Sequence, residues 1–279
     1  MKDVSFITAH FHDFDWIQCW LDRIIHFTDY GLIREFLVVN QDRTKDSHIK
    51  LARLNKKVRV LEFPPNQRLI AKQGHDHAHV LNLAQKEAQG KFVCIMDSDC
   101  HPISSEWLGN CQAVLQDHDA IAAVDYYQYK NNSALLTHPC FIMLDHEAIN
   151  FPLYFDEGLF EQNMDTGRLI GKQIEQAGRS ICYAHPKKAF RARWGFIYLD
   201  TIYNHQRGSY SGGDERLKRQ NDWRQAFFKK ILVSKGGYDL PNVESFYFQF
   251  RFRTLQRTKK KVTRLVDMPH RLINKIKHL

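Results

Sequence analysis

The chain has 279 residues, of which 43% are hydrophobic and 25% charged, as is usual for a globular protein with a sizeable core. No run approaches the roughly 20 apolar residues of a membrane-spanning helix. The N-terminus enters a strand-like run at once, so we expect no signal peptide. The six cysteines lack Cys-x-x-Cys spacing, and Cys94 and Cys111 lie in apolar patterns, which predicts buried thiols in a reducing compartment.

The net charge of +9 is concentrated near the C-terminus. Residues 251–279 contain ten Lys or Arg and one acidic residue, Asp267, so they carry +9 by themselves. Residues 1–250 are therefore neutral as a whole, whereas a nucleic-acid enzyme usually has a basic surface around its cleft. We expect no nucleic-acid partner, and we divide the chain into a domain over 1–250 and a basic tail over 251–279.

Strand-like and helix-like patterns alternate along the first half of the chain. Such alternation predicts an α/β fold with a doubly wound, mainly parallel sheet and helices on both faces. Asp13 or Asp15 is a candidate cap for the first helix, and Gly90 is a candidate stop for the third. The predicted strands span 4–9, 35–40, 58–63, 92–96 and 120–124, and the predicted helices span 16–25, 47–55, 80–88 and 107–115.

The fourth predicted strand organises the chain. Its apolar run, 92–96, gives way abruptly to Asp97 and Asp99. Ligands of open α/β sheets bind outside the carboxyl ends of the strands, and two carboxylates one residue apart face the same way if the backbone stays extended. They then form a hard oxygen site that suits Mg²⁺ or Mn²⁺ carrying a diphosphate. The alternative is one helix-capping and one solvated Asp, although Ser104 and Ser105 are nearer the next helix.

Three segments resemble the family-two glycosyltransferases of the GT-A fold. Asn40-Gln41-Asp42 and Met96-Asp97-Ser98-Asp99 are similar to the family's Val-Asp-Asp-Gly-Ser and Leu-Asp-x-Asp segments, and 74–82 resembles the segment before the Asp-x-Asp strand. The order of the elements is also similar, and the resemblance covers roughly residues 3–185. The Asp-x-Asp segment is its most specific part.

The resemblance implies a nucleoside diphosphate-sugar donor and a Mn²⁺ or Mg²⁺ cofactor. Asp99 is expected to bind the metal directly, and Asp97 to bind it through water or to contact the ribose. His205 resembles a late metal-ligating His of several members and would favour Mn²⁺; the alternative is an ordinary surface His. The residues expected to contact the donor are Thr8, Ala9, His10, Asn40, Asp42, His75, His79, Asp97 and Ser98.

The family's catalytic base corresponds to an acidic residue in the second half of the chain. Asp165 is the first candidate and Glu157 the second. The match is imperfect, because Asn163-Met164 precedes Asp165 where the family usually has Glu-Asp. Asp165 could instead cap a helix predicted over 169–177, or it could do both. The Gly- and Ser-rich stretch 208–213 is expected to be a lid or a plain connector.

The tail alternates basic and aliphatic residues over 251–279, a basic amphipathic pattern that predicts binding to an anionic membrane surface. The alternative is a solvated helix packed against the domain. Family members with such tails often act on glycans or lipid-linked acceptors at the inner face of a bacterial membrane. The resemblance implies an inverting glycosyltransferase. Together with the tail, it leads us to expect an enzyme of surface polysaccharide or lipopolysaccharide synthesis, cytoplasmic and peripherally attached to the inner face of the plasma membrane.

Two other functions compete with this interpretation. A sugar nucleotidyltransferase usually carries a Gly-rich, basic phosphate loop after its first strand, where this chain has Thr8-Ala9-His10-Phe11-His12. A non-catalytic, basic-tailed membrane adaptor is the second alternative, and the Asp-x-Asp segment argues against it.

Overall fold

The computed structural model describes residues 3–73, 75–124, 136–155, 166–188 and 196–204. Over these residues the chain forms a seven-stranded and a four-stranded sheet. The strands are β1 (Val4–His10), β2 (Ile33–Asn40), β3 (Val58–Leu61), β4 (Phe92–Met96), β5 (Cys100–Pro102), β6 (Ala120–Val124), β7 (Thr137–Asp145), β8 (Ile181–Ala184), β9 (Lys187–Lys188), β10 (Phe196–Tyr198) and β11 (Ile202–Asn204). The α-helices are α1 (Phe14–Phe27), α2 (Lys45–Ala52), α3 (Gln67–Gln73), α4 (His77–Ala84), α5 (Trp107–Val114) and α6 (Ile170–Gln176).

The large sheet has the strand order β3-β2-β1-β4-β7-β6-β8. β1 pairs in parallel with β2 and β4, β2 with β3, and β6 with β8. β7 is antiparallel to both β4 and β6, so it alone among the seven strands runs in the reverse direction. The predicted α/β fold with a mainly parallel sheet is therefore confirmed.

Hydrophobic side chains along the strands alternate between the two faces of this sheet. On β4, Cys94 and Met96 belong to one buried cluster, and Val93 and Ile95 belong to the other. α1 and α5 cover the first face, while α4 and α6 cover the second. Burial on both faces explains why β4 has a continuous apolar run rather than an alternating one. The predicted burial of Cys94 and Cys111 is also found, since both are 0% exposed.

The four-stranded sheet has the order β5-β11-β10-β9, and all of its pairs are antiparallel. Its first strand, β5, begins at Cys100, directly after the Asp-x-Asp segment. The small sheet thereby brings a late part of the chain, β11, back to the carboxyl end of β4.

Two residues predicted to mark helix ends, Gly90 and Asp13, have other roles in the fold. Gly90 does not end α4. The helix ends at Ala84 and is followed by a 3₁₀ turn over Gln85–Glu87. A Cβ on Gly90 would lie 2.6 Å from the backbone of both Asp3 and Ser5, so this glycine allows β1 to approach closely. Asp13 does occupy the N-cap position of α1, but its side chain makes no capping hydrogen bond there.

Candidate active site

The carboxyl ends of β1, β2 and β4 meet at one edge of the large sheet because these strands are parallel neighbours. The segments that leave this edge are 11–13 after β1, 41–43 after β2 and 97–99 after β4. Nearly every side chain that the sequence nominates for donor binding lies on one of these segments or at the last residues of the strands. This edge is therefore the candidate site.

Asp97, Ser98 and Asp99 form a tight turn rather than an extended strand end. The N–H of Cys100 donates to the carbonyl of Asp97 at 2.9 Å, and the N–H of Asp97 donates to Cys140 on β7 at 3.1 Å. The backbone is therefore not extended here, because β4 ends at Met96 and the chain reverses into β5. The condition under which the two carboxylates would face the same way is not met. Asp97 and Asp99 stay partly exposed in the turn, while Ser98 is buried.

Imidazole groups surround Asp97. Nε2 of His77, at the start of α4, lies 3.5 Å from Oδ1 of Asp97. Burial by itself would raise the pKa of Asp97, but the hydrogen bond from His77 and the nearby charges of His77 and His138 hold it below its ordinary range. Burial, together with the charge of the neighbouring His77, lowers the pKa of His75 to about 4. Asp97 is therefore kept as a carboxylate.

Four rings form a row that runs from solvent to Asp97; we call Phe11, His12, His75 and His77 the aromatic row. The ring centroids of Phe11 and His12 are 4.4 Å apart, and those of Phe11 and His75 are 5.5 Å apart. His75 and His77 follow at 6.0 Å. The row offers flat surfaces beside a carboxylate turn, an arrangement that suits a ligand with an aromatic base at one end and phosphates at the other.

Asp42 holds His12 at the outer end of the row. Oδ1 of Asp42 accepts the backbone N–H of His12 at 3.1 Å and lies 2.9 Å from its Nδ1. His12 has a φ of 57°, a left-handed conformation that is uncommon for residues other than glycine, and its side chain is 73% exposed. The strained backbone and the carboxylate together point this imidazole outward, and such strain is typical of functional sites.

A buried ion pair supports the segment that carries His75 and His77. Asp76, between them, is 0% exposed and lies 2.6 Å from the guanidinium of Arg43. Its carboxylate also accepts hydrogen bonds from Gln41 at 3.1 Å and from the N–H of Asn66 at 2.9 Å. Burial would raise the pKa of Asp76, but these hydrogen bonds and the charge of Arg43 lower it.

The remaining nominated residues near β1 and β2 are buried. Thr8 is 0% exposed, Ala9 8% and His10 2%. Asn40 is 1% exposed and is occupied by Glu62, to which its amide donates at 3.0 Å, and by the hydroxyl of Ser47. His79 lies farther along α4, with Nε2 3.2 Å from the carbonyl of Pro64. Contact of these residues with a donor stays a prediction.

The register of the small sheet shows which residues lie next to the chain position that precedes His205, the third candidate metal ligand. Asn204, which precedes His205 in the sequence, pairs with Cys100, which follows Asp99. Tyr203 is 1% exposed; burial raises its pKa well above the ordinary value, and the charge of Asp99 raises it further. His205, Glu157, Asp165, the stretch 208–213 and the tail with its domain boundary at 250 lie outside the described residues.

The carboxylates of the turn fit a hard divalent cation. Asp97 and Asp99 supply oxygen ligands, and Mg²⁺ or Mn²⁺ at such sites keeps further positions for water and substrate phosphates. Within the described parts of the chain, no three His, Cys, Asp or Glu side chains are grouped closely enough to hold a metal ion.

The sequence patterns do not predict several of the site residues: Phe11, His12, Asp13, Arg43 and His77. They indicate Asp13 only as a helix cap, and His77 only as part of a segment similar to the family. The concentration of imidazoles at 10–12 and 75–79 is the signal in the sequence that could have identified them. No local pattern indicates, however, that the two groups meet across the sheet edge.

Comparison with known proteins agrees with the fold. Residues 5–172 match the model of Glycosyl transferase family 2. This match spans more than half of the chain, so the protein belongs to glycosyl transferase family 2. Among curated proteins, none matches the chain.

The chain is similar to solved glycosyltransferase structures of the GT-A fold. A mannosyltransferase from Pyrobaculum calidifontis, solved in complex with GDP-Man and Mn²⁺, has a TM-score of 0.51 and 18% identity; the match covers 66% of this chain and 55% of that chain. The TarS protein of S. aureus, solved with UDP, has a TM-score of 0.45 and 19% identity over 66% of this chain and 60% of that one. The match thus spans about half the length of the mannosyltransferase. At 18% identity, the likeness to the mannosyltransferase shows the fold alone.

Proposed function

We propose that this protein transfers a sugar from a nucleoside diphosphate-sugar to a hydroxyl group of an acceptor, with inversion at the anomeric carbon. The observation that carries the proposal is the Asp97-Ser98-Asp99 turn at the carboxyl end of a central strand, with the aromatic row leading into it. The family assignment and the GDP-Man complex of the similar mannosyltransferase support the donor class.

The donor is proposed to lie along the aromatic row. Its base packs near Phe11 and His12, and its diphosphate reaches Asp97 and Asp99 past His77. Asp97 and Asp99 would hold Mn²⁺ or Mg²⁺, which would supply Lewis-acid stabilisation of the charge that develops on the departing diphosphate. The pairing of Asn204 with Cys100 supports the proposal that His205 is a further ligand, because the chain reaches one residue from Asp99 there.

The base is proposed to act from the side opposite the leaving group. Asp165, or Glu157 as the second candidate, accepts the proton of the attacking acceptor hydroxyl. Both candidates lie in the sequence between Phe155 and Gly167. These two residues are close together, since the N–H of Gly167 donates to the carbonyl of Phe155 at 3.2 Å. A single displacement with the base on one side and the leaving group on the other inverts the anomeric carbon.

The acceptor is proposed to be a glycan or a lipid-linked sugar of bacterial surface polysaccharide or lipopolysaccharide. The supporting feature is the basic tail, which would hold the enzyme at the anionic inner face of the plasma membrane. Among the described residues, no helix is long and apolar enough to cross a membrane.

The test is calorimetric binding of UDP, GDP and their sugars to the full-length protein, with Mn²⁺ or with EDTA. We expect one nucleotide to bind at least about 10-fold more tightly with Mn²⁺, and Asp99→Asn to abolish this gain with the fold intact. Asp117→Asn, an exposed acid on the same domain, is the matched control. An unchanged gain in Asp99→Asn would overturn the assignment. Release of pyrophosphate from a nucleoside triphosphate and sugar phosphate would instead favour the nucleotidyltransferase alternative.

A further inference from the structure

His10 and Asp13 form a buried pair beneath the candidate site. The side chain of His10 is 2% exposed and that of Asp13 is 3% exposed, and His10 Nδ1 lies 2.7 Å from Asp13 Oδ1. The same Asp13 oxygen accepts the N–H of Phe11 at 2.9 Å. Because ligands bind at the surface of this edge, the two side chains are placed to orient other groups rather than to touch the donor.

Each member of the pair has a second contact, and these two contacts reach different parts of the site. Nε2 of His10 lies 3.0 Å from Oδ2 of Asp42, the carboxylate that holds His12 at the outer end of the aromatic row. Oδ2 of Asp13 accepts a hydrogen bond from the hydroxyl of Ser98, the middle residue of the Asp-x-Asp turn. A continuous chain of polar contacts thus connects His12 to the turn beside Asp97 and Asp99.

We call the contact from His10 to Asp42 the Asp42 arm and the contact from Asp13 to Ser98 the Ser98 arm. The two arms act on opposite ends of the proposed donor. The Asp42 arm fixes the exposed ring of His12, where the base is proposed to lie. The Ser98 arm fixes the turn whose flanking carboxylates are proposed to hold the cation. Ligating groups that are oriented by buried hydrogen bonds lose less freedom on binding, and loss of such an orienting partner typically costs 10- to 100-fold in metal affinity.

We propose that His10 and Asp13 form a single positioning unit, which sets the base end and the diphosphate end of the donor site relative to each other. This inference rests on the proposed function. It assigns neither residue a catalytic role, since both act through Asp42, His12 and Ser98.

The two arms can be separated at His10 because its nitrogens face different carboxylates. The amide nitrogen of Asn occupies roughly the place of Nδ1, so His10→Asn keeps the donor toward Asp13 and loses the one toward Asp42. Gln is one methylene longer and reaches the place of Nε2, so His10→Gln keeps the donor toward Asp42 and loses the one toward Asp13. Ser98→Ala removes the metal-side arm independently.

The experiment measures two affinities in the full-length protein. Electron paramagnetic resonance gives the affinity for Mn²⁺ without nucleotide, and calorimetry gives the affinities for UDP and GDP in EDTA. We expect His10→Asn to weaken nucleotide binding about 10-fold with Mn²⁺ binding nearly unchanged. We expect His10→Gln and Ser98→Ala to weaken Mn²⁺ binding about 10-fold with nucleotide binding nearly unchanged. His146→Asn, beside Gly90 at the other end of β4, is expected to change neither.

The outcomes distinguish this inference from the proposed function. If the wild type binds nucleotide and Mn²⁺ but His10→Asn and His10→Gln lower both affinities equally, or lower neither, the positioning unit is refuted and the proposed function stands. If the wild type itself binds neither UDP nor GDP, with or without Mn²⁺, both proposals fail. A purely structural role of His10 would lower the thermal midpoint in both variants without the split between the two affinities.

Discussion

Nη2 of Arg43 lies 2.7 Å from Oδ1 and 2.6 Å from Oδ2 of Asp76, a carboxylate that is 0% exposed. This ion pair connects the segment after β2 to the start of α4, where His75 and His77 flank Asp76. The positions of both imidazoles therefore depend on a charge pair 33 residues apart in sequence.

Removal of the cation from this pair is expected to destabilise the fold. Arg43→Met leaves Asp76 buried with Gln41 and Asn66 as partners, and breaking a buried pair from one side costs about 3–5 kcal/mol of unfolding free energy. We expect a loss near the lower limit, because the Arg43 side chain is 23% exposed. Urea unfolding measures it. The control is Arg34→Met, whose partner Asp3 is 3.9 Å away at the surface, with an expected change within about 1 kcal/mol. Equal losses in both variants would contradict the prediction.

The same carboxylate makes stability depend on pH in a defined direction. The pKa of folded Asp76 lies below its ordinary value. Its contribution to the unfolding free energy is therefore complete above the unfolded pKa, about 3.9, and disappears as the pH falls through the folded value. We expect the stability difference between wild type and Asp76→Asn to be constant from pH 6 to 5, because a group with an unfolded pKa of about 3.9 is ionised there in both states. In more acidic solution the difference is expected to shrink. A difference that grows on acidification would show that this carboxylate is not the group responsible.

The sequence predicts β4 to the residue but not the geometry that follows it. An apolar run buried on both faces has sharp ends, and 92–96 is both predicted and observed. The turn at Asp97 depends on hydrogen bonds to Cys100 and to Cys140 on β7, a strand more than 40 positions later. Likewise, the reversal of β7 has no local signal, because a buried apolar run reads the same in either direction.

The candidate site is recovered only in part for a related reason. The Asp-x-Asp carboxylates and Asp42 are recognised from local motifs. The positioning unit of His10 and Asp13, by contrast, is created when three loops meet at one sheet edge. Asp13 illustrates the difference: its position before α1 suggests a cap, and its carbonyl does accept the N–H of Trp16 at 2.7 Å, but its carboxylate serves the site.

Gly90 is expected to be intolerant of substitution for a steric reason. The Cβ of Gly90→Ala would lie 2.6 Å from the Asp3 carbonyl and from the Ser5 nitrogen, so β1 has to move. Overpacking of this kind costs about 1–3 kcal/mol. Gly109→Ala on α5 is the matched control, because nothing lies within 4 Å of its added Cβ. We expect the control to be up to about 1 kcal/mol more stable than wild type. Thermal or urea unfolding of the two variants compares them, and destabilisation of both would refute the steric explanation.

Two isosteric substitutions test the catalytic base. Asp165→Asn is expected to lower turnover at least about 100-fold with donor affinity unchanged, because the lost group acts only on the acceptor proton. Glu157→Gln is the matched comparison. Initial rates are measured by release of nucleoside diphosphate, and calorimetry gives donor affinity. Inactivity of Glu157→Gln alone would reverse the ranking of the two acids, and full activity of both variants would place the base elsewhere.

The tail is expected to bind anionic membranes by a salt-sensitive mechanism. Residues 251–279 carry ten Lys or Arg, and each contributes about 1 kcal/mol near an anionic surface. Salt screens this attraction, so vesicles of anionic lipid should retain the protein at low ionic strength and release it as salt rises. Deletion of 254–279 should abolish binding and leave activity on a soluble acceptor analogue. Co-sedimentation across a salt series measures the effect.

A charge-reduced tail separates electrostatic attraction from apolar insertion. Replacement of Lys259, Lys260 and Lys261 by Gln removes three charges and keeps every aliphatic residue of the tail. Because the attraction depends on charge, this variant should leave the vesicles at a lower salt concentration than the full-length protein. The same salt concentration for both would point to apolar insertion. Equal sedimentation of the deleted and full-length forms would show that residues 254–279 do not attach the enzyme to the membrane.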